Sequence, residues 1–399
     1  MSHVSSQTQG VYIVSPLRSA IGKAFKGSLR TKRPDDLCAD IIRAVMAKNP
    51  QLDPALIEDV IVGCAMPEAE QGMNVARFAL LLAGLPNQVP GVTVNRFCSS
   101  GVQTIAMAAD RIKAGDADCI LAGGTESMTL IPMMGHKVVG SRTVMDHHPE
   151  FYLGMGMTAE NVAKDYKISR EDQDAFSVES HLKAIKAIES GWFKDEIAPV
   201  PVTFRTPGKN GEAKVETRMF DTDEGARGDT TVDALGKLKP AFLQGGTVTA
   251  GNSSQMSDGA AMCLVVSEKF ARQHNLKPVA RFCGYAVAGV PPRIMGIGPV
   301  ASIPKALALA GLKQEQIQRY ELNEAFAAQS LAVIRELKLN PALVNLTGGA
   351  IALGHPLGAT GAKLTATLIN GLHRDKQKYG MVTMCIGTGM GASAIFEAV

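Results

Sequence analysis

This chain of 399 residues holds seven cysteines, at positions 38, 64, 98, 119, 263, 283 and 385, but no Cys-x-x-Cys pair. An odd number at wide spacings is neither a disulfide framework nor a zinc site, and it fits a reducing compartment. No window approaches eighteen consecutive apolar residues, so no membrane span is expected. Basic blocks are missing too: the net charge is +3 and is spread along the chain, which argues against nucleic acid or a membrane surface as partner. Met1–Gly10 has no hydrophobic stretch of the secretion-signal kind, and Phe-Glu-Ala-Val399 is neither a retention nor a peroxisomal address. The expectation left standing is a cytoplasmic enzyme.

The length exceeds one ordinary domain, so two or three domains or one duplicated unit are expected. Val11–Val14, Asp59–Gly63, Val92–Val94 and Asp118–Gly124 read as strands. They alternate with helices opened by Pro34, capped by Asn74 and following Cys98, the pattern of an α/β layered core. From about Met128 to Val248 the chain becomes more polar and less regular. Two helices are expected there, Thr158–Tyr166 and Arg170–Ser190. The second should have Ser169 and Asp172 as a capping box and Ala175, Val178, Leu182 and Ile185 as its packing face. Arg205–Asp229 reads as exposed loops, and the whole segment as an insertion covering a site. From Val279 the alternation resumes, with a helix from Ile303, another from Asn323 to about Leu337, and final strands Gly380–Ile386 and Gly391–Glu397.

Duplication is visible in the order of these pieces. Cys98-Ser-Ser-Gly101 opens a helix and is followed by a strand ending Ala-Gly-Gly124. Later, Gly-His355-Pro-Leu-Gly358 opens a helix and is followed by a strand ending Cys385-Ile-Gly387. Two such halves packed together bring both helix starts and both strand ends near one axis, where ligands of α/β sheets are found.

Three side chains at those places carry chemistry. Cys98, beside the unpaired N–H groups that open a helix, is the candidate nucleophile, and the helix dipole is expected to make its thiol more acidic than a free one. His355, among apolar and glycine residues where a charged imidazole is costly, is the candidate base. His147, His148 and His274 sit in polar stretches and read as solvated. Cys385 ends an apolar strand; alone it reads as core, and the glycines after it lack the lysine of a phosphate-binding loop. A cysteine with a histidine base supports acyl transfer through a thioester, and a second cysteine suggests proton transfer to or from carbon.

Five stretches, in order along nearly the whole chain, resemble the thiolase family. They are Asn95-Arg-Phe-Cys-Ser-Ser-Gly101, Gly251-Asn-Ser-Ser-Gln-Met-Ser-Asp-Gly259, Asn323-Glu-Ala-Phe326, Gly348-Gly-Ala-Ile-Ala-Leu-Gly-His-Pro-Leu-Gly358 and Cys385-Ile-Gly-Thr-Gly-Met-Gly391. The Asn-Ser-Ser-Gln form of the second motif, and Gly154-Met-Gly156 where acetoacetyl-CoA-forming relatives carry a histidine, lean towards the degradative 3-ketoacyl-CoA thiolases. The resemblance implies two βαβαβαββ halves in a five-layered α/β/α/β/α core: residues 1–275, including a covering loop domain at about 128–248, and 276–399. It also implies acetyl-CoA C-acyltransferase activity in fatty acid β-oxidation, with coenzyme A as co-substrate and no tightly bound cofactor or metal.

By the same resemblance Cys98 is acylated, His355 takes its proton and Cys385 serves as acid and base at carbon. Asn323 holds a water that forms one oxyanion site with His355, and the N–H groups of Cys98 and Gly387 form the other. Ser254, and Arg227 in Asp-Glu-Gly-Ala-Arg, contact coenzyme A. A homodimer or homotetramer, with or without other β-oxidation enzymes, is the implied assembly. The alternatives are an acetyl-CoA acetyltransferase working in the acetoacetyl-CoA-forming direction, a related ketoacyl synthase, against which Cys385 speaks, and a non-catalytic acyl-CoA-binding protein on the same fold.

Overall fold

A computed structural model describes residues 9–208 and 212–399. Most of the polar Met1–Gly10 stretch therefore lies outside the described residues.

The first half contributes strands β1 (Val11–Arg18), β2 (Asp59–Gly63), β3 (Gly91–Val94), β4 (Cys119–Ser127) and β5 (Ser257–Ser267). The second contributes β6 (Ala280–Gly289), β7 (Arg319–Leu322), β8 (Tyr379–Ile386) and β9 (Met390–Ala398). They run in the order β7-β8-β9-β6-β1-β5-β4-β2-β3, with Gly22–Lys23 paired to β5 off this path. In this sheet the two halves join where β1 meets β6, through Tyr12–Arg281 and Ile13–Ala280. Each half repeats one pattern: parallel pairing in its outer part (β3-β2-β4, and β7-β8), then antiparallel pairing inwards. The second half has four strands plus one bridge, because only Val344, paired with Tyr320, stands where β3 stands in the first.

Helices α1 (Pro34–Ala47), α2 (Val75–Leu82), α3 (Ser100–Ala114), α4 (Gly298–Ala310), α5 (Ala327–Glu336) and α6 (Leu357–Arg374) fill the layers. Ile41 of α1 and Leu80 of α2 pack with Val60 and Leu264 on the outside of the first half. Ile303 of α4 and Val333 of α5 do the same with Met381 and Ile395 on the second. Between the halves, Ile105 and Ile112 of α3 join Leu364 and Leu368 of α6, with Ile120 of β4 on one side and Val382 of β8 on the other. That is the expected α/β/α/β/α core. Strands covered on both faces are apolar for most of their length, and β4 and β5, polar only at their ends, are buried along their whole lengths.

The two central helices can touch because of glycine. A Cβ on Gly101 would sit 2.7 Å from the backbone nitrogen of Ala362, and one on Gly361 would sit 2.3 Å from that of Val102. Any larger residue there would push apart the helix starts that carry Cys98 and follow His355.

Several local expectations are corrected. Asn74 precedes α2 but does not cap it; its amide donates to the Gly91 carbonyl and its oxygen accepts from Thr93, tying the helix start to β3. The helix expected from Asn323 begins at Ala327, leaving Asn323–Phe326 as a connection whose side chains are free for other work. The helix expected from Ile303 begins at Gly298. Arg205–Asp229 is not all loop: Val200–Pro207 and Ala213–Phe220 pair as an antiparallel hairpin, whose exposure explains its charged composition.

Helix Arg170–Glu189 starts as expected, with Ser169 accepting from the Asp172 N–H. Its packing face is polar, however: Gln173, Ser177, Ser180, His181 and Ala184 are buried, whereas Ala175 and Leu182 are exposed. Hydrogen bonds to loops of the other half, described below, outweigh apolar periodicity there.

Candidate active site

Cys98 sits in a single 3-10 turn, Phe97–Ser99, between β3 and α3. The turn is fixed by side chains: Asn95 Oδ1 accepts from the Phe97 N–H, and Ser100 Oγ accepts from the Arg96 N–H and donates to the Phe97 carbonyl. Phe97 is held at φ 43, a left-handed conformation that a large side chain adopts only under constraint. Cys98 is buried with Ala65, Met128 and Leu357, the last of these two residues beyond His355. The backbone N–H groups of Gly387 and of Cys98 itself face its sulfur, yet burial outweighs them and pushes the thiol up to about 11. The expected acidification is thereby overturned: at neutral pH the resting Cys98 is a thiol and needs a base.

His355 is the candidate for that base. It is buried; its backbone N–H is held by the Gln255 carbonyl and Ser257 Oγ, and its Nδ1 lies 2.6 Å from Thr360 Oγ1. The Thr360 hydroxyl donates its own proton to the Pro356 carbonyl, so towards His355 it can only accept. Nδ1 therefore carries the hydrogen and Nε2 presents a lone pair. Nε2 lies 3.3 Å from the side-chain nitrogen of Asn323, which donates to it. Burial, aided by the charge of nearby Lys363, lowers the imidazole to about 3, so it is neutral at rest. Lys363 Nζ, itself buried, donates to the Gly354 carbonyl and fixes the turn immediately before His355.

Asn323 follows β7, its N–H held by the Thr383 carbonyl of β8. Its Oδ1 is buried and has no partner among the described residues, so it offers an acceptor to a bound water or ligand. The next residue, Glu324, accepts from Ser180, Asn345 and the Ile351 N–H, and Ser180 also accepts from the Gly349 N–H. These bonds clamp the Asn323 connection, the turn before His355 and the polar face of helix Arg170–Glu189 together.

Cys385, in β8, is fully buried beside Ala325, Phe326 and Met155. Burial first, and the charge of a Cys98 thiolate second, push its thiol well above the usual range. An apolar wall suits a core cysteine; here it also keeps a proton on a group that neighbours Cys98. Gly387 opens onto the same space: a Cβ there would lie 3.8 Å from the sulfur of Met155 and from the Phe97 ring.

Ser254 and Arg227 stand elsewhere. The Ser254 N–H donates to the Ala325 carbonyl, which brings it beside the Asn323 connection. The Arg227 N–H donates to Nδ1 of His181, whose own pKa burial and the Arg227 charge lower to about 4. Neither residue lines the cavity that opens at Cys98.

Sequence reading missed three positioning groups. Thr360 had a legible signal, a hydroxyl in the first turn after His355. Lys363 had one too, a charge inside the otherwise uncharged stretch 357–372. Glu126 had none: its buried carboxylate accepts from the Ala65, Met66 and Gly358 N–H groups and from Gln71, joining the end of β4 to the His355-Pro-Leu-Gly358 turn, a contact that only the tertiary fold creates.

Two family patterns match the chain: thiolase, N-terminal domain, over residues 11–269, and thiolase, C-terminal domain, over residues 276–398. The chain is 53% identical over 385 residues to a 3-ketoacyl-CoA thiolase of Bacillus subtilis (strain 168), covering 96% of this chain and 98% of that protein. It is 45% identical over 400 residues to a 3-ketoacyl-CoA thiolase of Escherichia fergusonii, covering 98% and 99%. Among solved structures, the Bacillus anthracis acetyl-CoA acetyltransferase aligns with a TM-score of 0.88 at 38% identity, covering 99% of this chain and 100% of its own. Human mitochondrial 3-ketoacyl-CoA thiolase aligns with a TM-score of 0.88 at 37% identity and the same coverage.

Proposed function

The chain belongs to the thiolase family, and from that premise we propose that it is a 3-ketoacyl-CoA thiolase, cleaving 3-ketoacyl-CoA with coenzyme A to acetyl-CoA and a shortened acyl-CoA. The observations that support the mechanism are that the Gly387 N–H of the second half faces the Cys98 sulfur of the first, that Leu357, two residues beyond His355, packs with Cys98, and that His355 Nε2 lies 3.3 Å from the Asn323 amide.

In the first half-reaction His355 Nε2 takes the Cys98 proton as the sulfur attacks the keto carbon. The oxyanion that forms is met by donors already aimed at the site, each worth on the order of 3 kcal/mol in the transition state. The Cys98 and Gly387 N–H groups make one such site. A water held by Asn323, with His355, makes the other, and the unpartnered Asn323 Oδ1 supports it. The bond between C2 and C3 breaks, the acyl group stays on Cys98, and the acetyl-CoA enolate takes its proton from Cys385. In the second half-reaction the Cys385 thiolate takes the proton of an incoming coenzyme A thiol, whose sulfur attacks the acyl-Cys98 thioester. Cys98 leaves as a thiolate and regains its proton from His355.

A neutral cysteine–histidine pair lets one site serve cleavage and condensation alike, so direction follows from supply of substrates. Coenzyme A acts as co-substrate, and Ser254 and Arg227 belong to its side of the site. The division into halves at 275/276, the covering role of residues 128–248, a cytoplasmic location and a homodimer or homotetramer are part of this reading. Among the described residues no helix is long and apolar enough to cross a membrane. The test is thiolysis of a 3-ketoacyl-CoA by the wild type and by Cys98→Ala: the account requires activity in the first and its loss in the second, and activity kept by Cys98→Ala overturns it.

A further inference from the structure

Gln255, the residue after Ser254, grips the turn that leads to the base from two directions. Its backbone carbonyl accepts from the His355 N–H at 3.3 Å and from Ser257 Oγ at 2.8 Å. Its side-chain nitrogen donates to the Ile351 and Ala352 carbonyls, each at 3.1 Å. Both residues are buried, and their carbonyls fall in the short helix Ala350–Leu353, at the end where a helix offers its own carbonyls no donor. Gln255 thus caps this helix and holds the His355 N–H beyond it.

The same nitrogen reaches a third carbonyl, that of Gly225, at 3.0 Å. Gly225 belongs to the loop 223–227, which is anchored on both sides of it. Asp223 accepts from the Arg18 guanidinium and the Ile21 N–H, and Glu224 from the Lys23 and Ser28 N–H groups. At the other end the Arg227 N–H donates to His181. Gly225 packs directly on the base turn, since a Cβ there would collide with the Ala352 carbonyl oxygen. One amide, with two hydrogens shared among three carbonyls, therefore stands between the loop of Arg227 and the turn of His355.

We propose that Gln255 is a positioning residue that couples the coenzyme A side of the site to the base, so that a coenzyme A arm seated against the Arg227 loop steadies His355 for proton transfer. The inference rests on the thiolase reading above and on its placement of Arg227 beside coenzyme A. Contacts to a remote part of a substrate raise kcat only where they improve the geometry of the reacting groups. Here the contact of Gly225, Gln255 and Ala352 supplies the link. A thioester that lacks the nucleotide end of coenzyme A leaves the Arg227 loop unengaged and gains nothing from it.

The experiment compares one 3-ketoacyl group carried on coenzyme A with the same group carried on N-acetylcysteamine, which has the reacting thioester but no nucleotide. The readout is the saturating rate of the first half-reaction without free coenzyme A, for the wild type and Gln255→Met, with thermal unfolding to confirm the fold. The wild type should be acylated about tenfold or more faster by the coenzyme A thioester, and Gln255→Met should lose most of that advantage. A merely structural role would slow both substrates by the same factor. Equal slowing, an unchanged ratio, or a wild type with no advantage overturns the inference while leaving the thiolase reading intact. Should Gln255→Met not fold, Gln255→Ala is read in the same way; if neither folds, Gln255 serves stability alone and the inference is overturned. No acylation of the wild type by either substrate removes the thiolase reading and the inference with it.

Discussion

The side-chain nitrogen of Asn323 lies 3.3 Å from Nε2 of His355, while Oδ1 of the same amide, although buried, has no partner among the described residues. One amide thus donates to the His355 ring on one side and presents a buried acceptor on the other. A buried acceptor without a partner is costly, and it persists where a bound group completes it.

Asn323→Ala should therefore damage the transition state more than substrate binding. Loss of one oxyanion contact predicts a fall in kcat of about 10²–10³-fold with KM little changed. Steady-state thiolysis measures both, and an equal change confined to KM would contradict the role.

Thr360 acts through His355. Thr360→Val removes the acceptor for Nδ1–H and leaves a buried donor unpaired, at a cost of about 1–3 kcal/mol unless the ring changes tautomer. The changed tautomer puts the hydrogen on Nε2, where the proton must be received. The expected result is a fall in kcat, a reversal of the nitrogen-15 histidine NMR signature, and rescue of both by Thr360→Ser. Unchanged tautomer and kcat in Thr360→Val would dismiss the role.

The pH dependence of stability has a defined sign. His355 is lowered to about 3 in the folded chain from its ordinary 6.5, so between these values the unfolded chain binds a proton that the folded one does not. Stability is thus lost as pH falls through this window, by up to about 1.4 kcal/mol per pH unit from this group. Urea unfolding at several pH values should show His355→Gln with a shallower acid slope than the wild type. Equal slopes would mean that His355 titrates normally in the fold.

Cys385→Ala should separate the two kinds of chemistry. Cleavage of a 3-ketoacyl-CoA needs a proton at carbon, and losing its donor predicts a fall of about 10²–10⁴-fold. Acyl exchange between an ordinary acyl-CoA and labelled coenzyme A passes a proton through Cys385 only to and from a thiol, which ionises far more readily than carbon, and should persist at a larger fraction of the wild-type rate. If both reactions fell equally, the assignment of Cys385 to carbon would fail.

The layered fold was legible, and Cys98, His355 and Cys385 could be picked out as candidates, because both rest on local patterns: apolar strands, helix starts at Cys98 and after His355, and a strand ending at Cys385. What was not legible depends on tertiary surroundings. The acidity of Cys98 was misjudged because the helix-start effect can be read from neighbouring residues, whereas burial cannot. The face of Arg170–Glu189 was misassigned because Ser180 and His181 are buried by partners more than forty residues away, among them Glu324 and Arg227. The helix expected at Asn323 failed for a related reason: that connection is held open by Thr383, Asn345 and Ser180, and its sequence carries no helix breaker to announce it.

The central claim is that acyl transfer runs through a covalent bond to Cys98. Mass spectrometry of the protein after brief exposure to a ten-carbon 3-ketoacyl-CoA, without free coenzyme A, tests it most directly. The account predicts an eight-carbon acyl adduct on the peptide containing Cys98, removed when coenzyme A is added and absent from Cys98→Ala. Cleavage with no adduct, or an adduct on Cys385 instead, would contradict it.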